Sequence, residues 1–274
     1  MQNKKEAPIG VFDSGVGGLT VAREIMRQIP QERIVYFGDT ARVPYGSKSI
    51  DTLIRYTRQI IRFLKTRGVK AIVVACNTAS AVALEAVRDE LDIPIIGVVR
   101  PGAKVAVAAT KNKKIGIIGT EATVNSGMYV KLIQQMEPEA QVIGKACPLF
   151  VPLVEEGWTK DSVTEEVARR YLADLQKSEI DTLILGCTHY PLLRHMVGDI
   201  MGQSVTLVNP AYETALELRA LLEKEGIAND GDHGAFDNPY EFFVSDAADK
   251  FKIFANSILP CDVTSIKQIN IEEY

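Results

Sequence analysis

The constraint that most narrows the fold is an alternation. Short runs rich in β-branched residues recur along nearly the whole chain, separated for the most part by segments with helical apolar spacing. The pattern predicts strands at Ile9–Asp13, Ile34–Asp39, Ala71–Ala75, Ile95–Val98, Ile115–Gly119, Gln141–Lys145, Thr182–Gly186, Val205–Val208 and Tyr240–Val244. It predicts helices between them, among them Leu19–Ile29, Leu53–Lys65, Ala79–Leu91 and Val163–Gln176. Within Leu53–Lys65 the side chains of Leu53, Ile54, Ile60, Ile61 and Leu64 gather on one helical face. Strands that alternate with helices in this way form parallel sheets covered on both faces, an α/β fold.

The alternation itself repeats. IGVFDS at Ile9–Ser14 is echoed by IGIIGT at Ile115–Thr120, an offset of 106 residues. VACNTAS, with Cys76, is echoed by LGCTHYP, with Cys187, an offset of 111. Either pattern alone is cheap in a parallel-sheet protein, but their shared order and similar offset favour two α/β units of like layout. A chain of 274 residues has room for them, because single domains commonly run to about 100–150 residues. Ligands of open α/β sheets bind outside the carboxyl ends of the strands. The polar residues at those ends are therefore the site candidates: Asp13 and Ser14, Asp39, Cys76 to Thr78, Thr120, and Cys187 to His189. They converge on one cleft if the two units face each other.

Composition removes other classes of function. A net charge of −4, with Lys and Arg spread along the chain, leaves no footprint for nucleic acid or an acidic membrane. The cluster Lys111 to Lys114 reads as a solvated turn before a strand. No apolar run approaches the roughly 18–20 residues of a membrane span, and MQNKKEAP leads into a strand without the apolar core of a signal peptide. Four cysteines, two of them at strand ends, do not make a disulfide framework. The expectation is a cytoplasmic protein with reduced thiols.

The loop from Asp13 to Thr20 (DSGVGGLT) invites comparison with a dinucleotide site, since Asp39 ends the next strand 22 residues after Gly17. Thr20 occupies the third glycine position, however, and Asp13 would place a carboxylate beside the pyrophosphate. These glycines are instead expected to form a tight turn that lets a small ligand approach backbone N–H groups. Asn77 and Thr78 suit the cap of the helix after Cys76, and Pro191 suits the first turn after Cys187. A helix N-terminus favours thiolate and can lower a thiol pKa from about 8.5. The plain alternative is two buried, inert cysteines, which is the role expected of Cys147 and Cys261. A zinc site from Cys76, Cys187, His189 and Asp13 lacks the usual ligand spacing, so no metal is expected. A Cys–His hydrolase leaves one thiol without a role. Two thiols from facing units suit proton exchange at carbon, one removing a proton and the other delivering one to the opposite face. His189 could tune Cys187 or bind substrate, and Asp13 could do the same for Cys76.

At these residues the chain resembles the glutamate racemases of the aspartate/glutamate racemase superfamily. The matching motifs are FDSGVGGLT (12–20), GDTARVPYG (38–46), ACNTAS (75–80) and GCTHYPLL (186–193). The resemblance implies two α/β domains with the site in the cleft between them. The C-terminal chain returns to the first domain, giving 1–98 with 209–274 for one and 99–208 for the other. It implies cofactor-independent interconversion of L- and D-glutamate for peptidoglycan, and a homodimer. Its catalytic cysteines fall on Cys76 and Cys187, and its substrate-binding positions on Asp13, Ser14, Tyr45, Gly46, Asn77, Thr78, Thr188 and His189. The Pro44–Gly46 turn would offer backbone donors to the side-chain carboxylate; Asn77, Thr78 and Thr188 suit the α-carboxylate or ammonium. Thr120 joins the substrate-binding candidates as a strand-end residue. An auxiliary glutamate is implied near the histidine, at Glu155 or Glu156, with Glu155 preferred. An aspartate racemase and a non-catalytic small-molecule binder are the competing functions.

Overall fold

The computed structural model describes residues 4–231 and 239–274; the first three residues of the N-terminal stretch lie outside them. Among the described residues two sheets form, and every strand pair in both is parallel. The first contains β1 (Ile9–Asp13), β2 (Ile34–Gly38), β3 (Ala71–Val74) and β4 (Ile95–Gly97), and the later strands β9 (Tyr240–Val244) and β10 (Lys267–Gln268). The second contains β5 (Lys114–Gly119), β6 (Gln141–Ala146), β7 (Thr182–Gly186) and β8 (Thr206–Val208).

The strand orders explain the repeat. The first sheet runs β10-β9-β2-β1-β3-β4 and the second β6-β5-β7-β8. The segment β2-β1-β3-β4 has the same topology as β6-β5-β7-β8, with each strand displaced by four. In each unit the chain reverses its direction of winding beside the first strand, at β1/β3 and at β5/β7. Such a switch point opens a crevice at the carboxyl ends of the strands. Asp13 and Cys76 lie at the first, Thr120 and Cys187 at the second.

Side-chain alternation places core on both faces of each sheet. In the first, Val11, Tyr36, Val73 and Val244 share one cluster with the helices Leu19–Gln28, Pro210–Lys224 and Ala248–Ile258. Phe12, Phe37, Val74 and Phe243 point the other way, into a cluster with the helix Ile50–Thr66. That helix starts at Ser49, whose side chain accepts the Thr52 N–H. It buries Leu53, Ile60, Ile61 and Leu64, each contributing about 1.5–3 kcal/mol on full burial. Away from the crevice, Lys70 and Glu32 form a buried ion pair of 2.5 Å. Lys70 Nζ also donates to the carbonyls of Lys5 (2.6 Å) and Ile227 (2.8 Å), so the stretch before β1 and the stretch after the helix Pro210–Lys224 are tied to one point.

Three features depart from the sequence expectations. The helix predicted over Ala79–Leu91 is two helices, Asn77–Val82 and Leu84–Arg88, meeting at Ala83. Ala81 packs with the second unit while Leu84 and Val87 pack under the first sheet, and one straight helix could not serve both. The cap is Cys76 itself, whose sulfur accepts the Ala79 N–H at 3.5 Å, with Asn77 and Thr78 already inside the helix. Strand β10 carried no apolar signal because both its residues are exposed; it forms by pairing with β9.

Candidate active site

The two crevices face each other across a small cavity. From the first unit, Ser14, Cys76, Asn77, Thr78 and the Pro44–Gly46 turn line it; from the second come Thr120, Cys187, Thr188 and His189. Asp13 lies behind this wall, fully buried at the end of β1. Glu155 stands beyond His189, in the wall of neighbouring hollows. Val43 and Val151 also line the cavity, and nothing in their sequence setting marked them.

Close approach of the units is what the glycines permit. A Cβ on Gly17 would stand 2.4 Å from Thr188 Oγ1 and 2.6 Å from His189 Nδ1. One on Gly46 would stand 2.6 Å from Thr120 Cβ. The glycine-rich loop thus makes room for the facing unit, a different use from the ligand approach expected above. Thr20 Oγ1 donates to the Thr188 carbonyl (3.3 Å) and Thr188 Oγ1 to Asp13 Oδ1 (3.4 Å), which joins the two loops. The hydroxyls of Thr78, Thr120 and Thr123 form a second bridge at 2.9–3.2 Å.

Asp39, a site candidate by its place at a strand end, braces the neighbouring turn and does not line the cavity. Its Oδ2 accepts from Tyr45 Oη and from Arg42 Nε (2.7 Å), and its Oδ1 accepts from Ser245 Oγ (2.9 Å). Arg42 continues to Gln59 (2.6 Å) and Glu272 (3.1 Å). The turn that carries Pro44, Tyr45 and Gly46, entered through a cis Val43–Pro44 bond, is therefore braced from two sides.

The thiol settings differ. Burial, then the nearby Asp13 charge, pushes the Cys76 thiol up to about 12, the reverse of the lowering expected at a helix N-terminus. The capping N–H from Ala79 and the contact with Ser14 Oγ (3.7 Å) work in the thiolate's favour but are outweighed. Cys76 is accordingly a protonated thiol at neutral pH. Cys187 Sγ lies 3.8 Å from His189 Nδ1, and His189 Nε2 lies 3.1 Å from Glu155 Oε1. Burial disfavours charge on that ring, yet the bonds to Cys187 and Glu155 and the fields of Cys187 and Asp13 overcome it, raising its pKa to about 10. The bond to His189 in turn holds the Glu155 carboxyl below the usual range. Asp13 is pushed up by burial, against the His189 charge and the N–H groups of Gly18, Gly15 and Ser14.

Glu155 and Glu156 part company here: Glu155 reaches His189, while Glu156 points outward toward Lys250 at 3.9 Å. Removing a carboxylate that favours the cation must lower the ring's titration midpoint. Glu155→Gln is expected to move the His189 midpoint below about 10, read from the ring proton resonances against pH. An unchanged midpoint would remove Glu155 from this balance. Among the described residues, no group of three or more His, Cys, Asp or Glu is placed to hold a metal ion, and no helix is long and apolar enough to cross a membrane. All four cysteines are free. Cys147 is buried with its thiol donating to the Lys145 carbonyl at 3.6 Å, away from the cavity wall.

Two parallel α/β units that each bring one thiol to a shared, mostly buried cavity define an enzyme acting on a small molecule held between them. The model of the Asp/Glu/hydantoin racemase family matches residues 9–217. The chain is 47% identical over 268 residues to a glutamate racemase of Geobacter metallireducens, covering 96% of this chain and 97% of that protein. Its structure superposes on a glutamate racemase of Francisella tularensis, solved with D-glutamate, at TM-score 0.91 and 36% identity, covering 98% and 100% of the two chains. For a Thermus thermophilus glutamate racemase, solved with β-chloro-D-alanine, the values are 0.88 and 43%, covering 98% and 99%. The chain belongs to the Asp/Glu/hydantoin racemase family and is an isomerase of the amino-acid racemase type.

Proposed function

We propose that this protein interconverts L- and D-glutamate by two-base proton transfer, supplying D-glutamate for peptidoglycan in the cytoplasm. The observation that carries the mechanism is the pair Cys76 and Cys187, which come from equivalent strand ends of two like units and line one cavity. In the L to D direction, the Cys187 thiolate takes the α-proton and the Cys76 thiol delivers its own to the opposite face. D-Glutamate leaves with Cys187 protonated and Cys76 as thiolate, and the reverse direction exchanges the roles. A thiol held at about 12 is a proton donor at neutral pH, which suits Cys76 to the delivering role. Asp13 stands near Cys76 and His189, backed by Glu155, near Cys187.

The carbanion character at Cα is stabilised by oriented donors in a water-poor site. Ser14, Asn77, Thr78, Thr120, Thr188 and His189 provide side-chain groups for the α-carboxylate and ammonium, and the Pro44–Gly46 turn provides backbone for the distal carboxylate. Neither a metal nor pyridoxal phosphate has a part in this scheme. We assign residues 1–98 with 209–274 to one domain and 99–208 to the other, in keeping with the sheet to which each strand belongs. The assembly is proposed to be a homodimer, as twofold oligomers are the commonest.

The test is circular dichroism of L-glutamate and of L-aspartate incubated with purified, metal-depleted protein. Decay of the glutamate signal to zero with aspartate unchanged is expected. Racemisation of aspartate alone, or loss of activity on chelation with recovery on adding zinc, would overturn the proposal. Light scattering showing only monomer at assay concentration would overturn the dimer.

A further inference from the structure

Tyr129 was marked by no motif, yet it touches both cysteine-bearing turns. It lies in the helix Met128–Met136 of the second unit, and its side chain is buried in the core with Ile117, Ile133 and Ile184. One edge of its ring packs on the backbone just before Cys187, where a Cβ on Gly186 would stand 3.4 Å from Tyr129 Cε2. Its hydroxyl crosses to the first unit and donates to Asn77 Oδ1, beside Cys76, at 2.7 Å. Burial, with the field of Cys187, pushes the phenol up, so the group remains a donor.

A primary amide has an acceptor side and a donor side. Tyr129 occupies the acceptor side of Asn77. Asn77 Nδ2 has no hydrogen-bond partner among the described residues, and it is not among the buried, unpaired side-chain atoms, so it opens on the cavity that Asn77 lines. We propose that Tyr129 is a positioning residue: it holds the Asn77 amide with its N–H groups toward the substrate, making this position a donor to a carboxylate and not an acceptor for an ammonium. The proposal rests on the reading that Asn77 contacts the substrate. Were the amide reversed, its carbonyl would face the carboxylate and repel it. The N–H of the Asn77 amide is correctly presented only while the two units keep the spacing at which the Tyr129 hydroxyl reaches across, so substrate recognition and closure of the units are linked through one bond.

A double-mutant cycle separates this role from packing, because residues that act through one another are not additive. Tyr129→Phe keeps the ring and removes only the hydroxyl. Racemisation of both enantiomers is measured for the parent, Tyr129→Phe, Asn77→Ala (or Asn77→Ser, should the alanine variant not fold) and the double variant, with thermal melts of each. The expected result is a fall in kcat/KM of about tenfold in Tyr129→Phe, carried mainly by KM, and no further fall when the substitution is added to the Asn77 variant. Parent-like kinetics in Tyr129→Phe, or an equal loss in both backgrounds, would overturn the proposal. If the Asn77 variant itself kept parent kcat/KM, the placement of substrate on Asn77 would be what failed.

Discussion

Cys76→Ser and Cys187→Ser are each expected to lower racemisation by about 10³-fold or more, the upper range for a positioned acid or base. Serine is close to isosteric with cysteine. At position 76 it also keeps the helix cap, since its hydroxyl can accept the Ala79 N–H that the Cys76 sulfur accepts now. The fold should therefore survive, and the loss should be chemical: a hydroxyl is much harder to ionise than a thiol of ordinary pKa about 8.5. Each variant retains one thiol, which is enough to remove the α-proton from one enantiomer of a glutamate analogue bearing a good β- or N-linked leaving group. Cys76→Ser should then eliminate from the L-analogue through Cys187, and Cys187→Ser from the D-analogue through Cys76. Racemisation at the parent rate in either variant would reject the two-base mechanism. The same enantiomer preference in both would reject the assignment of thiols to faces.

Gly17→Ala is expected to lower kcat/KM by about 100-fold, the scale on which a displacement near 1 Å acts in an active site. Gly17 is not among the residues with positive φ, so alanine is locally acceptable there. The penalty comes from the other unit. The new methyl carbon would fall 2.4 Å from Thr188 Oγ1 and 2.6 Å from His189 Nδ1, and either loop must retreat. Retreat carries His189 away from its 3.8 Å contact with Cys187 and its 3.1 Å contact with Glu155. Gly198→Ala is the control: its methyl would meet only Leu207 Cδ1, at an ordinary 3.5 Å, and activity should be unchanged. Far-ultraviolet circular dichroism should match the parent for both. Parent-like kinetics in Gly17→Ala would show that the tight approach between the units is not needed for turnover.

Much of the architecture was open to inspection in the chain because its causes are local. A period of two against a period of 3.6 marked the strands, and all nine expected strands form with both ends within one residue of the expected bounds. Polar residues placed immediately after apolar runs then marked Asp13, Cys76, Thr120 and Cys187, which the parallel topology brings to the two switch points. The repeated order of those runs pointed to two like units before any contact was known. Strand β10 escaped because a two-residue exposed edge has no apolar period to detect.

What the sequence by itself determined, then, is which elements form and which polar residues stand at their ends, since backbone sterics and side-chain periodicity act over a few neighbours. The tertiary structure alone decided what those residues become. It assigned the glycine loop to the facing unit, because Gly17 meets Thr188 and His189 only after 171 or more residues of chain have folded back. It separated Glu155 from Glu156, because successive positions at a helix end point in different directions and only one reaches His189. It joined Tyr129 to Asn77 across 52 residues. It also reversed the expected direction of the Cys76 pKa, because a helix terminus offers a few local dipoles, whereas burial removes the surrounding water and leaves the Asp13 charge close by. Desolvation is a property of everything that packs around a group, and no short stretch of sequence contains it.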